Sequence, residues 1–412
     1  MTQPSRLTLS PPEPLTSSEE GSFSFYTMTE RLPNICHKLI QENEFPEEVI
    51  GLLTRFSEEV RENKLSLLHH LEAPDFSQWD NYLKPYLGST WLDVPWFFAE
   101  TYFYRKILDI IGYFKEGELQ NFDPYRSQKR KGLEMALESI YDLSDRLDAI
   151  DGDWQPSGCL MLLYFSLWGN RADLSLWSVD DLWSKEADSS EQTEIEKQQE
   201  RLLIDDTERL VSYLALRYHK RIDIIIDNAG FELVCDLGLV DFLLGSQIAD
   251  RIYLHLKNYP TFVSDATRED VIQTIDFLAA EQHPELSRFG LHLKNYLNSD
   301  RLYLCDDPFW TSPLALWEMP ESLYEDLDKS NLVIVKGDAN YRRLLGDRNW
   351  DLTTQFADIL SYFPAPIAAL RTLKSEVVVG LSQEQISALD LEGGDWKTNG
   401  SRGIIQAAFI PD

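Results

Sequence analysis

Apolar residues recur three and four positions apart through Val49 to Lys64, Trp96 to Phe114 and Lys131 to Leu147, with few β-branched runs. That spacing predicts amphipathic helices, and from about Phe25 to Trp177 the chain reads as all-α. After residue 200 the texture changes to short β-rich runs: R-I-D-I-I-I-D at 221–227, R-I-Y-L-H-L at 251–256, R-L-Y-L-C-D at 301–306, N-L-V-I-V-K at 331–336 and I-I-Q-A-A-F at 404–409. Helical stretches separate them, at Leu202 to Tyr218, Phe231 to Leu244, Arg268 to Ala280 and Leu286 to Leu297. Strands alternating with helices predict βαβ crossovers and an α/β fold, its mostly parallel sheet covered on both faces. Ligands of such sheets bind beyond the carboxyl ends of the strands, so polar residues there are the candidates for chemistry.

The divisions expected are an extended arm over 1–21, rich in Pro, Ser and Thr, a helical region over 22–200, and an α/β domain over 201–412 that carries the site. The helical region closes on the acidic stretch Ser178 to Glu200, which has little to bury and reads as an exposed linker or solvated helix. A chain of 412 residues exceeds the size at which single cores stop growing, about 250 to 300 residues, so two domains are expected.

Composition narrows the function. The formal charge of -31, from 69 acidic against 38 basic side chains, repels nucleic acid and anionic membranes. An anionic small substrate becomes compatible only if a divalent cation inverts the local field. The four cysteines form no CxxC pair, no run approaches the roughly 18 apolar residues of a membrane span, and no basic-then-apolar leader opens the chain, so a cytoplasmic location is expected. Nothing in the sequence specifies an oligomeric state.

Four constellations carry the chemistry. In I-I-I-D-N-A-G-F-E-L, three consecutive isoleucines predict a strand buried on both faces that delivers Asp227 and Asn228 at its end, hard oxygen donors suited to Mg²⁺ or Mn²⁺. The next strand leads to Val263, Ser264 and Asp265, a second carboxylate that adjacent strands about 5 Å apart can bring to the first pair. Helix capping is the plain alternative for both, by Asp227 or Asn228 in the first and by Ser264, Asp265 or Thr267, ahead of the Arg268 helix, in the second. In N-L-V-I-V-K-G-D-A-N-Y-R-R-L, a strand runs into Lys336-Gly337-Asp338 and a helix start bearing Arg342 and Arg343. Free N–H groups at a helix N-terminus and a two-pronged arginine suit phosphate, against the alternative of a basic surface cluster. Arg371 to Lys374 adds two cations near a further possible strand end, though R-T-L-K alone is commonplace.

Other classes are poorly served: no G-x-x-x-x-G-K-[ST], no G-x-G-x-x-G after a strand, no G-x-S-x-G and no H-E-x-x-H occurs. The His69-His70 pair is expected on an exposed helix. The aromatic run from Trp91 to Tyr104 suits a buried helix better than a stacking site.

Taken in order, T-W-L-D-V-P-W-F-F-A-E-T-Y-F-Y-R-K-I at 90–107, L-W-G-N-R-A-D-L-S-L at 167–176, D-N-A-G-F-E-L-V-C-D-L at 227–237, F-V-S-D at 262–265, K-G-D-A-N-Y-R-R-L at 336–344 and R-T-L-K at 371–374 resemble the metal-dependent damage-control phosphatases, in the subgroup marked by R-T-x-K. That subgroup includes a protein described as an acidic residue methyltransferase. The resemblance implies a helical region on a three-layer α/β/α sandwich. It implies Asp227, Asn228 and Asp265 as catalytic metal ligands, with Mn²⁺, Ni²⁺, Co²⁺ or Mg²⁺ as occupants. Asp227 and Asn228, the turn Asp338, Ala339, Asn340, Tyr341 and Arg342, and Lys374 are implied as contacts of a small phosphorylated metabolite. Ala339 departs from the larger apolar residue common in relatives. Implied substrates are sugar phosphates such as fructose 1-phosphate and fructose 6-phosphate. Asn170 and Asp173 are candidates to face the pocket from the helical side. Two competing readings are an S-adenosylmethionine-dependent protein carboxyl methyltransferase, disfavoured because D-N-A-G stands where a glycine-rich cradle belongs, and a metal-stabilised scaffold without turnover.

Overall fold

A computed structural model describes residues 6–62, 64–150, 152–169, 194–216 and 219–409. Asn170, Asp173 and most of the acidic stretch lie outside the described residues; Glu194–Gln199 is a helix.

Seven strands form one sheet: β1 (Leu202–Asp205), β2 (His219–Ile225), β3 (Ala249–His255), β4 (Leu302–Cys305), β5 (Leu332–Lys336), β6 (Ile367–Thr372) and β7 (Gly403–Ala408). Their order is β1-β7-β6-β5-β2-β3-β4, and every neighbouring pair is parallel except β6 with β7. The expected helix over 202–218 is corrected at its start. Leu202, Leu203 and Ile204 form an edge strand on β7, and the helix begins only at Thr207, whose backbone N–H donates to Asp205 Oδ1 at 3.0 Å. An apolar run of three residues is compatible with either element, and pairing with a strand two hundred residues away decided it.

Helices cover both faces, as the α/β/α reading requires. On one face Ile222, Ile224 and Ile226 of β2 and its exit join the helices Leu137–Ala149, Pro156–Trp168, Phe231–Gly245, Arg268–Ala280 and Pro284–Asn298. On the other, Ile225 joins a cluster containing Trp310, Tyr341, Leu344 and Leu373. The isoleucine run therefore points to two cores at once, which is why it does not alternate with polar residues.

A third cluster belongs to the helical N-terminal region. In the helix Trp96–Ile111 every residue except Ile110 is buried, and Gly112 ends it in the left-handed conformation at φ 76°. The helix expected over 131–147 is two, Arg126–Met135 and Leu137–Ala149, and the break at Ala136 lets Leu143 and Leu147 pack at Gly238. His69 and His70 lie not on a helix but in an extended segment whose two N–H groups donate to the Asp109 carboxylate. The arm runs between the two parts of the chain: Leu15 N donates to Asp347 O at 3.0 Å, and Trp96 N to Leu15 O at 2.8 Å. Among the described residues no helix is long and apolar enough to cross a membrane.

Candidate active site

The chain leaves β2 for the helix Phe231–Gly245 on one face of the sheet, and leaves β5 for Asp338–Leu344 on the other. Because β2 and β5 are neighbours, their connections diverge and open a crevice at their carboxyl ends, the place where open α/β sheets bind ligands. Asp227 and Asn228 follow β2, Asp265 follows β3, and Asp338 follows β5.

The first three come together. Asn228 and Asp265 form a β-bridge, Ala266 N donates to Asp227 O at 2.8 Å, and Ala229 N donates to Ser264 O at 2.7 Å. The Asn228 amide is held in one orientation: Nδ2 donates to Asp227 Oδ2 and to Glu232 Oε2, each at 2.9 Å, while Oδ1 accepts from Ser264 Oγ at 2.5 Å. Both N–H bonds go to carboxylates, so the carbonyl oxygen is the part left for a cation. Of the residues expected to cap the helix at Arg268, Thr267 does so through a capping box with Asp270, while the helix after Asn228 starts at Gly230 with no side-chain cap, so Asp227, Asn228 and Asp265 are not caps.

Two features force this geometry. Gly337 stands at φ 82°, and a Cβ there meets Asp227 Oδ2 at 1.9 Å, so no other residue fits beside the carboxylate. Phe262 and Val263 both adopt positive φ, 48° and 69°, which for a β-branched valine is strained backbone. The N-terminal helices hold that strain in place: the Phe262 ring packs 4.9 Å from Tyr104 and 6.1 Å from Phe97.

Charge at the site is unbalanced. Asp227, Glu232, Asp236 and Asp265 are buried together with Lys257 and Lys336. Lys336 Nζ lies 2.9 Å from Asp236 Oδ1 and 3.4 Å from Glu232 Oε1, and Lys257 Nζ lies 3.3 Å from Asp265 Oδ2. Four buried carboxylates face two buried ammonium groups, with the Lys374 ammonium also acting on Asp227, so the cluster keeps a formal surplus of negative charge that a bound cation offsets. Burial, then the charges of Asp265 and Glu232, push the Asp227 carboxyl well above the ordinary carboxylate range; burial also raises Asp265, with Lys257 opposing. Asp227 Oδ1 is buried without a hydrogen-bond donor among the described residues, and Asp265 Oδ2 is buried with the Lys257 ammonium beside it as an ion pair. Buried carboxylate oxygens so placed, as hard donors, fit a divalent metal.

The phosphate side is assembled differently from the expectation. Asp338 Oδ1 accepts from Arg371 Nε at 2.8 Å, Lys374 N at 3.0 Å and Ser375 Oγ at 3.1 Å, which ties the R-T-L-K segment to the turn. Ala339 is half-buried beside it, and the Lys374 ammonium has no ion-pair partner among the described residues. Asn340 faces inward, its Nδ2 donating to Ile226 O and Lys336 O. Tyr341 is buried, its hydroxyl bonded to Gln406 Oε1 at 2.7 Å. Arg342 is not brought to the site with a free guanidinium: each of its nitrogens already donates, to Asp347 at 2.8 and 3.0 Å and to Glu100 at 2.5 Å, and the group lies 3.7 Å over Trp96. A cavity of about 300 Å³ opens beside Ala229 and Gly230, lined also by Arg126, Lys129, Asp270 and Phe277.

Glu232, Lys257 and Ser264 were not singled out as functional by sequence reasoning. Glu232 stood inside the D-N-A-G-F-E motif, and its place one helical turn after Asn228 was the available signal. Among the described residues one further group suits a metal, Asp145, His283 and Glu285, partly exposed on the outer helices.

A crevice at the switch point of a mostly parallel sheet, floored by buried carboxylates and edged by a lysine without an ion-pair partner among the described residues, defines the class as an α/β protein with its polar site at the strand ends. Comparison with known proteins gives this class a family. The sequence model of the damage-control phosphatase ARMT1-like domain matches residues 27–389, and the chain belongs to that family. It is 33% identical to the damage-control phosphatase ARMT1 of Danio rerio, over 96% of this chain and 97% of that protein. Against the proteins of the same name from Xenopus laevis and Homo sapiens it is 32% and 31% identical, over 97% and 96% of its length. A DUF89 family protein from Pyrococcus horikoshii superposes with a TM-score of 0.48 at 17% identity, covering 93% of this chain and 98% of that one.

Proposed function

We propose that the protein is a cytoplasmic, metal-dependent phosphatase that hydrolyses phosphomonoesters of small metabolites, with sugar phosphates such as fructose 1-phosphate or fructose 6-phosphate as substrates. The observation that carries the metal dependence is Asp227 Oδ1, buried without a hydrogen-bond donor among the described residues, beside Asp265 Oδ2, which the Lys257 ammonium approaches to 3.3 Å, in a pocket with surplus negative charge. Asp227, Asn228 and Asp265 hold the cation, Mn²⁺ or Ni²⁺ in first place and Mg²⁺ or Co²⁺ as alternatives. When bound, it polarises the ester and makes a water nucleophilic at neutral pH.

The chain's own residues do the rest. Glu232, fixed by Lys336, keeps the Asn228 carbonyl turned toward the cation. Lys374 neutralises phosphate oxygens as negative charge develops on the leaving side, and the backbone of the Asp338–Ala339 turn positions them. Arg371, braced by Asp338 and Ser375, holds Lys374 at the mouth.

The test is a screen of sugar phosphates for phosphate release with and without Mn²⁺, beside Asp227→Ala. Turnover is expected to disappear on chelation, return with Mn²⁺, and fall at least a hundredfold in the variant with its circular dichroism intact. Full turnover in Asp227→Ala removes the site assignment.

A further inference from the structure

Lys257 is an unusual neighbour for a cation site. It leaves the end of β3 with its backbone N–H donating to Ala266 O at 3.0 Å, and it is 3% exposed. Its ammonium lies 3.3 Å from Asp265 Oδ2 and donates to Asn340 Oδ1 at 2.9 Å. Asn340 in turn donates to Ile226 O at 3.0 Å, one residue before Asp227, and to Lys336 O at 2.8 Å, one residue before Gly337. One ammonium thus joins the ligand loop after β3 to the phosphate turn after β5 and, through Asn340, to the end of β2. A neutral donor makes the same ties. A positive charge beside a divalent cation opposes its binding, so the charge of Lys257 needs another use.

We propose that Lys257 is a positioning residue that couples the two halves of the site, so that divalent cation and phosphate each strengthen the other's binding through its charge. This rests on the metal-dependent reading above. With the cation alone, the ammonium is a cost. Cation binding at Asp265 Oδ2 takes the carboxylate partner that the ammonium now has at 3.3 Å, and a doubly charged phosphate oxyanion beside the Asp338 turn supplies another, so the ammonium changes partner and each ligand removes a cost the other meets. The coupling is reciprocal, since affinities of two ligands linked through one group change by the same factor.

Isothermal titration of Mn²⁺ with and without inorganic phosphate tests this without turnover. In the wild type, phosphate is expected to tighten Mn²⁺ on the order of tenfold. Lys257→Met and Lys257→Gln, the second retaining a donor for Asn340 without the charge, are expected to bind Mn²⁺ alone no more weakly than the wild type and to lose most of the phosphate effect. Lys257→Arg restores part of it. Persistence of the full coupling in Lys257→Gln overturns the proposal, and so does a variant that weakens Mn²⁺ binding with and without phosphate alike, which marks a merely structural lysine. A wild type that binds no Mn²⁺ sinks the metal reading itself, a result distinct from either. Should Lys257→Met fail to fold by circular dichroism, Lys257→Gln and Lys257→Arg decide.

Discussion

Gly337 shows how narrowly single residues define the site. The positive φ and the 1.9 Å approach to Asp227 act together, so Gly337→Ala must either move the carboxylate or unwind the turn. A displacement near 1 Å at a reacting centre costs about a hundredfold in rate. The expectation is therefore a loss of about that size in kcat/KM for phosphate release, with far-ultraviolet circular dichroism unchanged; a loss under threefold contradicts the close approach. Asp227, Asn228 and Asp265 were legible in the sequence because oxygen donors after apolar strand runs fall at strand ends. The partners that orient them were not, since the amide of Asn228 is set by Ser264 from another strand connection and by Glu232 across a helix start.

At the scale of elements, the N-terminal helices are part of the site's construction. Phe97, Tyr104 and Glu100 of the helix Trp96–Ile111 hold the strained 262–263 loop and the last turn of the Asp338–Leu344 helix. Arg342 belongs to this joint. Removing one partner of a buried ion pair costs about 3 to 5 kcal/mol. Arg342→Ala is accordingly expected to lower the unfolding free energy read from urea titration by that much, with KM for a sugar phosphate changed far less than stability; a large KM effect at unchanged stability returns Arg342 to the phosphate. The basic run Lys336, Arg342, Arg343 looked like one cationic cradle in the sequence because charges close in sequence seem close in purpose. The fold sends Lys336 to Glu232 and Asp236, Arg342 to Glu100 and Asp347, and Arg343 to carbonyls of Trp310 and Leu314.

Over the whole molecule, buried carboxylates of two kinds set the response to acid. Burial raises Asp223, yet hydrogen bonds and charge from His255 and Arg221 outweigh it and hold the carboxyl below its usual range. A group depressed on folding stabilises above its unfolded value, about 3.9, and that contribution is lost as pH falls through the folded value. The stability of the wild type relative to Asp223→Asn is expected to be greatest at pH 6 to 7 and to shrink below about pH 4, read from paired urea titrations. A gap independent of pH removes the assignment.

The sequence alone determined the α/β class, the helical first half and the strand ends at which Asp227, Asn228 and Asp265 stand, because apolar periodicity and turn residues act over a few positions and are written locally. Its motifs also carried the family. Only the tertiary structure decided that Leu202–Asp205 is an edge strand, that β7 runs antiparallel, and that two lysines face four carboxylates in one pocket. Those outcomes depend on which strands become neighbours and which charges are buried together, and such pairings join residues from separate connections that no local pattern relates.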